Sequence, residues 1–575
     1  MEARSPARSE WREPDPVSAH DTHALREFTR LPRSICELLA RRGFTPSPDV
    51  ARFLRPTLRD LHQPTDLPDL SAGVARIELA IRSGESILVH GDYDVDGMSG
   101  AALLTRAFRD LGADVQPFVP HRARDGYDLG RTGLELASRR GVSLVVTADC
   151  GTTALETIEL AGRRGIDVVV TDHHRPGETL PGACAVINPG RVDSRYPFPH
   201  LSGVGVAFKL VQELLTRQRV DAGRINQHID LVALGTIADQ VPLVGENRIL
   251  ARVGLKVLDR SRKPGLRALM REANVGRWAA ARSTDVAYRI APRLNSAGRI
   301  GEPMDGVRLL TTNDVSEGQR LASQVGAQNA ERRELDRELL EVVRLEVRRT
   351  FEPNRDRAIV VWGEGWHPGV LGIVASRLVD ELHRPVALIS LDGDSGRGSA
   401  RSVAGFHLFE ALKACAGSLE RFGGHAMAAG FDARRDRLPE LRRRLLEVAR
   451  LEIADTGMDP RLEVDLEIAL SEVDSSFARA FGHLEPFGAQ NPAPRIVARR
   501  VKLRDVEPVG ADASHLRFHM AQGTASLEAI AFGFGDRRAE LADGSPRDVV
   551  FELHIDVSPR GLRPQAHAVA IESAC

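Results

Sequence analysis

The chain has 575 residues, of which 42% are apolar and 27% charged, with a formal net charge of −1. At about 150 residues per domain, that length predicts three or four domains. The near-zero balance neither announces nor excludes a nucleic-acid binder, because an acidic centre and a basic channel cancel in the sum. The five cysteines form no CxxC pair, which argues against a disulfide framework or zinc site and favours a reducing compartment. The opening MEARSPARSEWREPDPVSAHD has no apolar core, and no apolar run reaches about 18 residues. The expectation is a soluble, cytoplasmic protein without a secretory signal or membrane span.

Residues 1 to about 30 are polar and read as disordered. Short amphipathic pieces between 34 and 62 read as small helices covering the next domain, and a polar N-terminal segment is set at 1–70. A first domain is expected at 71–305. From 86 to about 240, short apolar runs (ILV at 87–89, DVQPFV at 114–119, SLVVTAD at 143–149, DVVVTD at 167–172, AVIN at 185–188) alternate with helical stretches. That alternation predicts a parallel sheet with helices on both faces. Connecting helices follow at 306–350, with the charged run 331–349 read as a solvated bridging helix. A second α/β domain is expected at 351–457. The segment 458–575 carries five or six turn-separated strand patterns and predicts an antiparallel, OB-like barrel.

Ligands in such sheets bind beyond the carboxyl ends of the strands. Three strands here deliver metal-type side chains to that edge. The first ends in His90, Asp92, Asp94 and Asp96, another in Asp149, and another in Asp172, His173 and His174. Asp239 stands where a later helix stops before Val241-Pro242. The DxDxDG run at 92–97 imitates an EF-hand loop, but the twelfth loop position is Leu103, inside an apolar helix, so the calcium-loop reading fails. Carboxylates buried at strand ends are costly unless paired or metal-bound. Mixed imidazole and carboxylate donors suit manganese, and magnesium less well. His90, Asp94, Asp96, Asp149, His173 and Asp239 are enough for two ions, with Asp149 as the bridge.

HGDYDVDG, TADCG, TDHH and the late Asp of TIADQVPL resemble, in order, the four motifs of the DHH phosphoesterase family. SAGRIGEP, GWHPGVLGIVASRL, SGRGSARS and RFGGHAMAAGF resemble its associated second domain. The order of parts is similar to that of the family's single-strand-specific 5′→3′ exonucleases, strongly from about residue 80 to 460 and weakly on through FGAQNPAP to 575. The resemblance implies two α/β domains flanking a cleft and joined by a long helix, with the barrel at the C-terminus. It implies that His90, Asp94 and Asp149 hold one ion and that Asp96, Asp149, His173 and Asp239 hold the other. Asp92 and His174 then support the ligands or face substrate, and Asp172 orients the imidazoles. Asp94, Asp96, Asp149, His173, His174 and Asp239 form the catalytic set, with Mn2+ as the cofactor and Mg2+ as a substitute. Gly-rich turns beside Ser, Arg and His are suited to a terminal phosphate, which singles out Ser399, Arg401, Gly424 and His425, with Arg299. Arg122, Arg124 and Tyr127 offer charge and a stacking ring, and Phe518, Phe532 and Phe534 offer further rings in the barrel.

The implied activity is stepwise hydrolysis of single-stranded DNA from the 5′ end to 5′-mononucleotides, in DNA repair and recombination. The implied partners are single-stranded DNA, a single-strand-binding protein and a helicase. Two other readings stand beside it: a nano-RNase or nucleotide phosphodiesterase of the same superfamily, and a non-catalytic strand-binding scaffold. The terminal barrel argues against the first, and the complete ligand set argues against the second.

Overall fold

The computed structural model describes residues 11–574 except 123, 127, 277, 278, 354, 454–461, 511, 559 and 560. Tyr127, expected to stack on a base, lies outside the described residues. The chain divides into two compact units, one of residues 12–326 with 463–575 and one of residues 1–11 with 327–462.

The first unit is built on five parallel strands: β1 (Ser86–Gly91), β2 (Asp114–Phe118), β3 (Leu144–Ala148), β4 (Asp167–Thr171) and β5 (Ala185–Ile187), in the order β2-β1-β3-β4-β5. Alternate residues feed two cores. Ile87, Val89, Leu144, Val146 and Val169 pack on the helical side that includes Val95–Asp110 and Gly203–Arg217. Leu88, Val145, Val168 and Val170 pack on the other face against Leu134, Ala137, Ile158 and Ala161. Burial of both faces explains why these strands read as unbroken apolar runs. The chain order reverses beside β1, with β2 on one side and β3 on the other, so the crevice between the β1 and β3 ends is the topological switch point.

In the C-terminal segment, strands Arg495–Val509, His515–Gln522, Ala525–Ala531, Gly561–Ser573 and Pro546–Ser558 pair in that order. The last also pairs with the first, which closes a five-stranded barrel. Two expectations for the N-terminus change here. Residues 19–29 form a helix, and the helices Ala19–Thr29, Arg33–Arg41 and Pro48–Leu54 join the barrel's core rather than that of the sheet domain. Leu25, Ile35, Leu38 and Val50 are buried with Phe477, Phe481 and Ile496. The polar composition of this stretch conceals a narrow apolar stripe that becomes useful only against the barrel.

Barrel and sheet domain are joined through residues 482–492. Arg248, almost wholly buried, donates to the carbonyls of Phe53, His483, Glu485 and Pro486, and its guanidinium lies 3.9 Å from the centre of the Phe53 ring. Leu243 N donates to Ala489 O at 2.8 Å, and Ser283 Oγ to Phe487 O at 2.8 Å.

The second unit has a five-stranded sheet in the order Arg421–Gly424, Ala428–Arg434, Ser395–Arg401, Val386–Asp392, Ile359–Glu364, with only the last pair parallel. The charged run expected at 331–349 belongs to one helix, Val315–Thr350. It is not merely solvated, because Leu339, Leu340, Val343 and Val347 are buried against the helix Pro368–Leu382 and the strands Ile359–Glu364 and Val386–Asp392.

Candidate metal centre and nucleic-acid surfaces

The turn after β1 is shaped by its own carboxylates. Asp94 caps the helix Val95–Asp110, accepting from the amides of Asp96 at 2.9 Å and Gly97 at 3.1 Å. A side chain at Gly97 would collide with the Asp92 backbone, which explains the glycine there. Asp96 reaches across to the start of the helix Gly203–Arg217, accepting from Gly203 N at 2.7 Å and Val204 N at 3.0 Å. Helix N-termini present free amides and positive potential, so they hold carboxylates well.

Asp149 follows β3 with φ +65°, a left-handed conformation uncommon outside glycine, asparagine and aspartate. His173 Nε2 lies 3.1 Å from Asp149 Oδ1 and 3.5 Å from Asp239 Oδ2. Asp172 Oδ1 accepts from the amides of His173 at 2.7 Å and His174 at 3.1 Å and pairs with His174 Nδ1 at 2.8 Å. Asp172 therefore orients the His174 ring directly and places His173 through the backbone.

Three sets of side chains come close enough to share an ion: Asp149 with His173 and His174, Asp96 with His173 and Asp239, and Asp92 with Asp94 and Asp149. This differs from the expected partition: His174 joins Asp149 and His173, and Asp149 is not grouped with Asp96 and Asp239. The first-turn carboxylates are joined by Asp92, whereas His90 falls in none of these sets among the described residues. The His90 ring packs 5.2 Å from that of Phe118 and fills the space left by the missing side chain of Gly133. Its Nδ1 lies 3.6 Å from Cys150 Sγ. The buried His90 Nε2, like donors of these sets, has no hydrogen-bond partner.

The donor set fits a divalent cation. Asp92 Oδ1, Asp149 Oδ1 and His173 Nε2 are buried without a hydrogen-bond partner, although the last two almost touch. Burial, reinforced by the neighbouring carboxylates, raises Asp92, Asp149 and Asp239 well above the usual carboxylate range and Asp96 to about 7. Burial lowers His173 to about 4, leaving a neutral imidazole with a lone pair to offer. Burial also opposes charge on His174, but its bond to Asp172 prevails and lifts it to about 9. Lone pairs converging on one space in low dielectric are stabilised by an intervening positive charge.

Glycines supply features that the sequence reading missed. A Cβ at Gly203 would overlap the Asp149 carboxylate, and one at Gly235 would overlap that of Asp96. The signal available was the run Ser202-Gly203-Val204-Gly205, in which Ser202 caps the helix through Gly205 N at 3.2 Å.

Around the centre, the Arg122 guanidinium lies 5.3 Å from the centre of the Tyr93 ring, and Arg124 pairs with Glu302 at 2.8 Å. Arg299 ends the helix Ala291–Ile300, whose Gly298 packs against the Tyr93 carbonyl. In the second unit, Arg401 donates to Ser399 Oγ at 3.2 Å, and both pack where Gly372 of the helix Pro368–Leu382 has no side chain. Strand register sets Ala400 beside Ala429 and Ala429 beside Gly424, so Ser399, Arg401, Gly424 and His425 gather at one end of that sheet. In the barrel, Phe518 is core and Phe534 packs at the core's margin, whereas Phe532 is 54% exposed. The Phe532 ring centroid lies 5.2 Å from that of His515 and 5.4 Å from that of His567, which stacks on His554 at 3.6 Å.

Family models match three stretches: the DHH family N-terminal domain over residues 86–236, the DHHA1 domain over 355–451 and the RecJ OB domain over 464–567. A parallel sheet with an acidic crevice at its switch point, a mixed-sheet domain and a closed barrel thus define a DHH-type protein with DHHA1 and OB domains. The single-stranded-DNA-specific exonuclease RecJ of Dickeya dadantii (strain 3937) is 35% identical over 93% of this chain and 94% of its own. That of Bacillus subtilis (strain 168) is 34% identical over 94% of this chain and 68% of its own. The crystal structure of RecJ from Thermus thermophilus in complex with Mn2+ is similar at a TM-score of 0.82 and 31% identity, covering 98% of this chain and 80% of that one. Its complex with Mg2+ matches at a TM-score of 0.77 and 29% identity, covering 98% and 79%. The chain belongs to the RecJ family. Among the described residues no helix is long and apolar enough to cross a membrane.

Proposed function

We propose that the protein is a metal-dependent exonuclease that degrades single-stranded DNA in the 5′→3′ direction to 5′-mononucleotides. The observation that carries this reading is the pair of partnerless buried donors, Asp149 Oδ1 and His173 Nε2, facing each other inside a carboxylate cluster at the switch point. Asp92, Asp94, Asp96, Asp149, His173 and Asp239 would hold two divalent ions, manganese by preference and magnesium as a substitute. Two such ions supply Lewis acidity at the phosphoryl group and a water acidified for attack.

The chain's own side chains do the positioning. Asp172 fixes the His174 ring and keeps it cationic, so that it faces a phosphate as a proton donor and counter-charge. Arg122 and Arg299 hold backbone phosphates of the entering strand. Ser399, Arg401, Gly424 and His425 grip the 5′-terminal phosphate, which makes cleavage sense an end. Water attacks the adjacent phosphorus, the 3′-oxygen leaves, and no covalent intermediate forms. His90 supports the centre from behind Cys150. In the cell, a helicase and a single-strand-binding protein would expose and present the unpaired strand.

The test is digestion of strands labelled at either end, as DNA and as RNA, with and without a 5′-phosphate, in Mn2+. Mononucleotides released from the 5′ end of single-stranded DNA are expected. Release from the 3′ end, or action on short RNA alone, would overturn the assignment. Asp149→Ala should cost more than the roughly 100-fold that a supporting residue costs, while strand binding persists.

A further inference from the structure

The loop 121–130 holds one carboxylate that neither metal chemistry nor charge on the strand accounts for. Asp128 belongs to none of the ion-holding sets among the described residues, and it is half-buried at φ +71°. Its Oδ1 accepts from Gly151 N at 2.6 Å, and its Oδ2 accepts from the Thr153 hydroxyl at 2.8 Å. Both partners lie in the turn that begins with Asp149. The next amide of that turn, Thr152 N, donates to Asp172 Oδ2 at 3.0 Å. Two carboxylates from different loops therefore take successive amides of one turn. One of them, Asp172, also sets the amides of His173 and His174.

The turn needs such holding. Asp149 is left-handed at φ +65°, a conformation that a residue with a side chain keeps only where the surroundings fix it. Asp128 itself sits in the same left-handed region, which aspartate tolerates better than most side chains. Two arginines of the same loop make contacts of their own, Arg122 over the Tyr93 ring and Arg124 with Glu302.

We infer that Asp128 is a positioning residue that latches the basic substrate loop onto the Asp149 turn and holds the Asp149 carboxylate in its ion-binding place. The latch acts through Gly151 N and Thr153 Oγ1, without touching the ion or the strand. The inference rests on the divalent-ion reading of the centre given above.

Asp128→Gly removes both acceptors while easing the left-handed backbone, so loss of function in it reports the hydrogen bonds and not strain. Calorimetric titration with Mn2+ alone, on the full chain without DNA, should show affinity reduced on the order of 10-fold, within the range for residues that orient metal ligands. Single-strand binding in EDTA should change less than twofold, and kcat should fall more than KM rises. Asp128→Asn keeps an acceptor for Gly151 N and should retain most of the Mn2+ affinity. Thr153→Ala should weaken Mn2+ binding alone but add nothing on the Asp128→Gly background. Wild-type Mn2+ affinity in Asp128→Gly, additive losses with Thr153→Ala, or no rescue by Asn would each overturn the latch. Failure of the wild-type protein to bind Mn2+ would instead overturn the reading of the centre.

Discussion

Asp96 is the carboxylate whose titration is easiest to use. Burial and the neighbouring Asp94 hold it at about 7, although two helix amides favour its charged form. A carboxyl raised in the folded state binds its proton more tightly there than in the unfolded chain, where it titrates near about 4. Its contribution to metal-free stability is therefore complete below pH about 4 and lost as pH rises through about 7. A divalent cation removes that loss by taking the proton's place. Saturating Mn2+ should thus raise the melting temperature more at pH 8 than at pH 6, read by calorimetry against EDTA controls; equal increments would contradict the assignment. Gly235→Ala tests the same carboxylate sterically, because the new Cβ overlaps Asp96. A destabilisation of about 1–3 kcal/mol with weakened Mn2+ binding is expected, by chemical denaturation and titration. The acidic and imidazole members of this centre were legible because strand ends announce themselves by a change from apolar to polar. Gly203 and Gly235 were not, because a glycine within a helix shows only as a weak helix former until the side chain that needs its space is known. His90 and Asp92 show the remaining gap: the strand-end pattern does not distinguish the imidazole packed against Phe118 from the carboxylate gathered with Asp94 and Asp149.

Elements with a strict period were read well, and those held by backbone carbonyls were not. The five parallel strands follow from apolar runs, with ends within a residue or two, and the barrel follows from turn-separated alternation. The N-terminal helices were misplaced because their partner is the barrel, more than 400 residues away in sequence, as in the contact of Arg42 with Asn491 and Pro492. Arg248 is the extreme instance. A guanidinium that binds only carbonyls leaves no complementary acid in the sequence to pair it with. Burial, with Arg252 and Arg42 nearby, lowers it to about 9, and the Glu485 carboxylate opposes that shift. Arg248→Met preserves length and apolar stem but leaves the Phe53 carbonyl without its donor and weakens the links to residues 483–486. The expected loss is about 2–4 kcal/mol in urea denaturation. A loss below about 0.5 kcal/mol would mean that barrel and sheet domain are joined mainly by other contacts.

For the whole molecule, a net charge of −1 conceals separated charges, an acidic centre and arginines elsewhere, which the proposed function assigns to cations and to phosphate. Charge and stacking make different contributions to strand binding, and ionic strength separates them. Each phosphate neutralised on a single strand steepens the fall of log affinity with log salt by about 0.7. Stacking of a base on an aromatic ring adds about 1–3 kcal/mol with little salt dependence. The row His515, Phe532, His567 and His554 on the barrel's outer face is made of rings alone, with Phe532 its most exposed member. In EDTA, with a strand long enough to reach the barrel, Phe532→Ala should weaken binding by a factor of about 5 to 150 at every salt concentration and leave the slope unchanged. Arg122→Ala should flatten the slope by about 0.7, so that its defect is large in dilute buffer and nearly absent at high salt. Fluorescence anisotropy across a salt series reads both. A flattened slope for Phe532→Ala would show that its loss disturbs charged groups that meet the strand and that the ring row is no stacking surface. Parallel lines for Arg122→Ala would show that Arg122 is engaged only with Tyr93, leaving recognition of the strand to the other arginines.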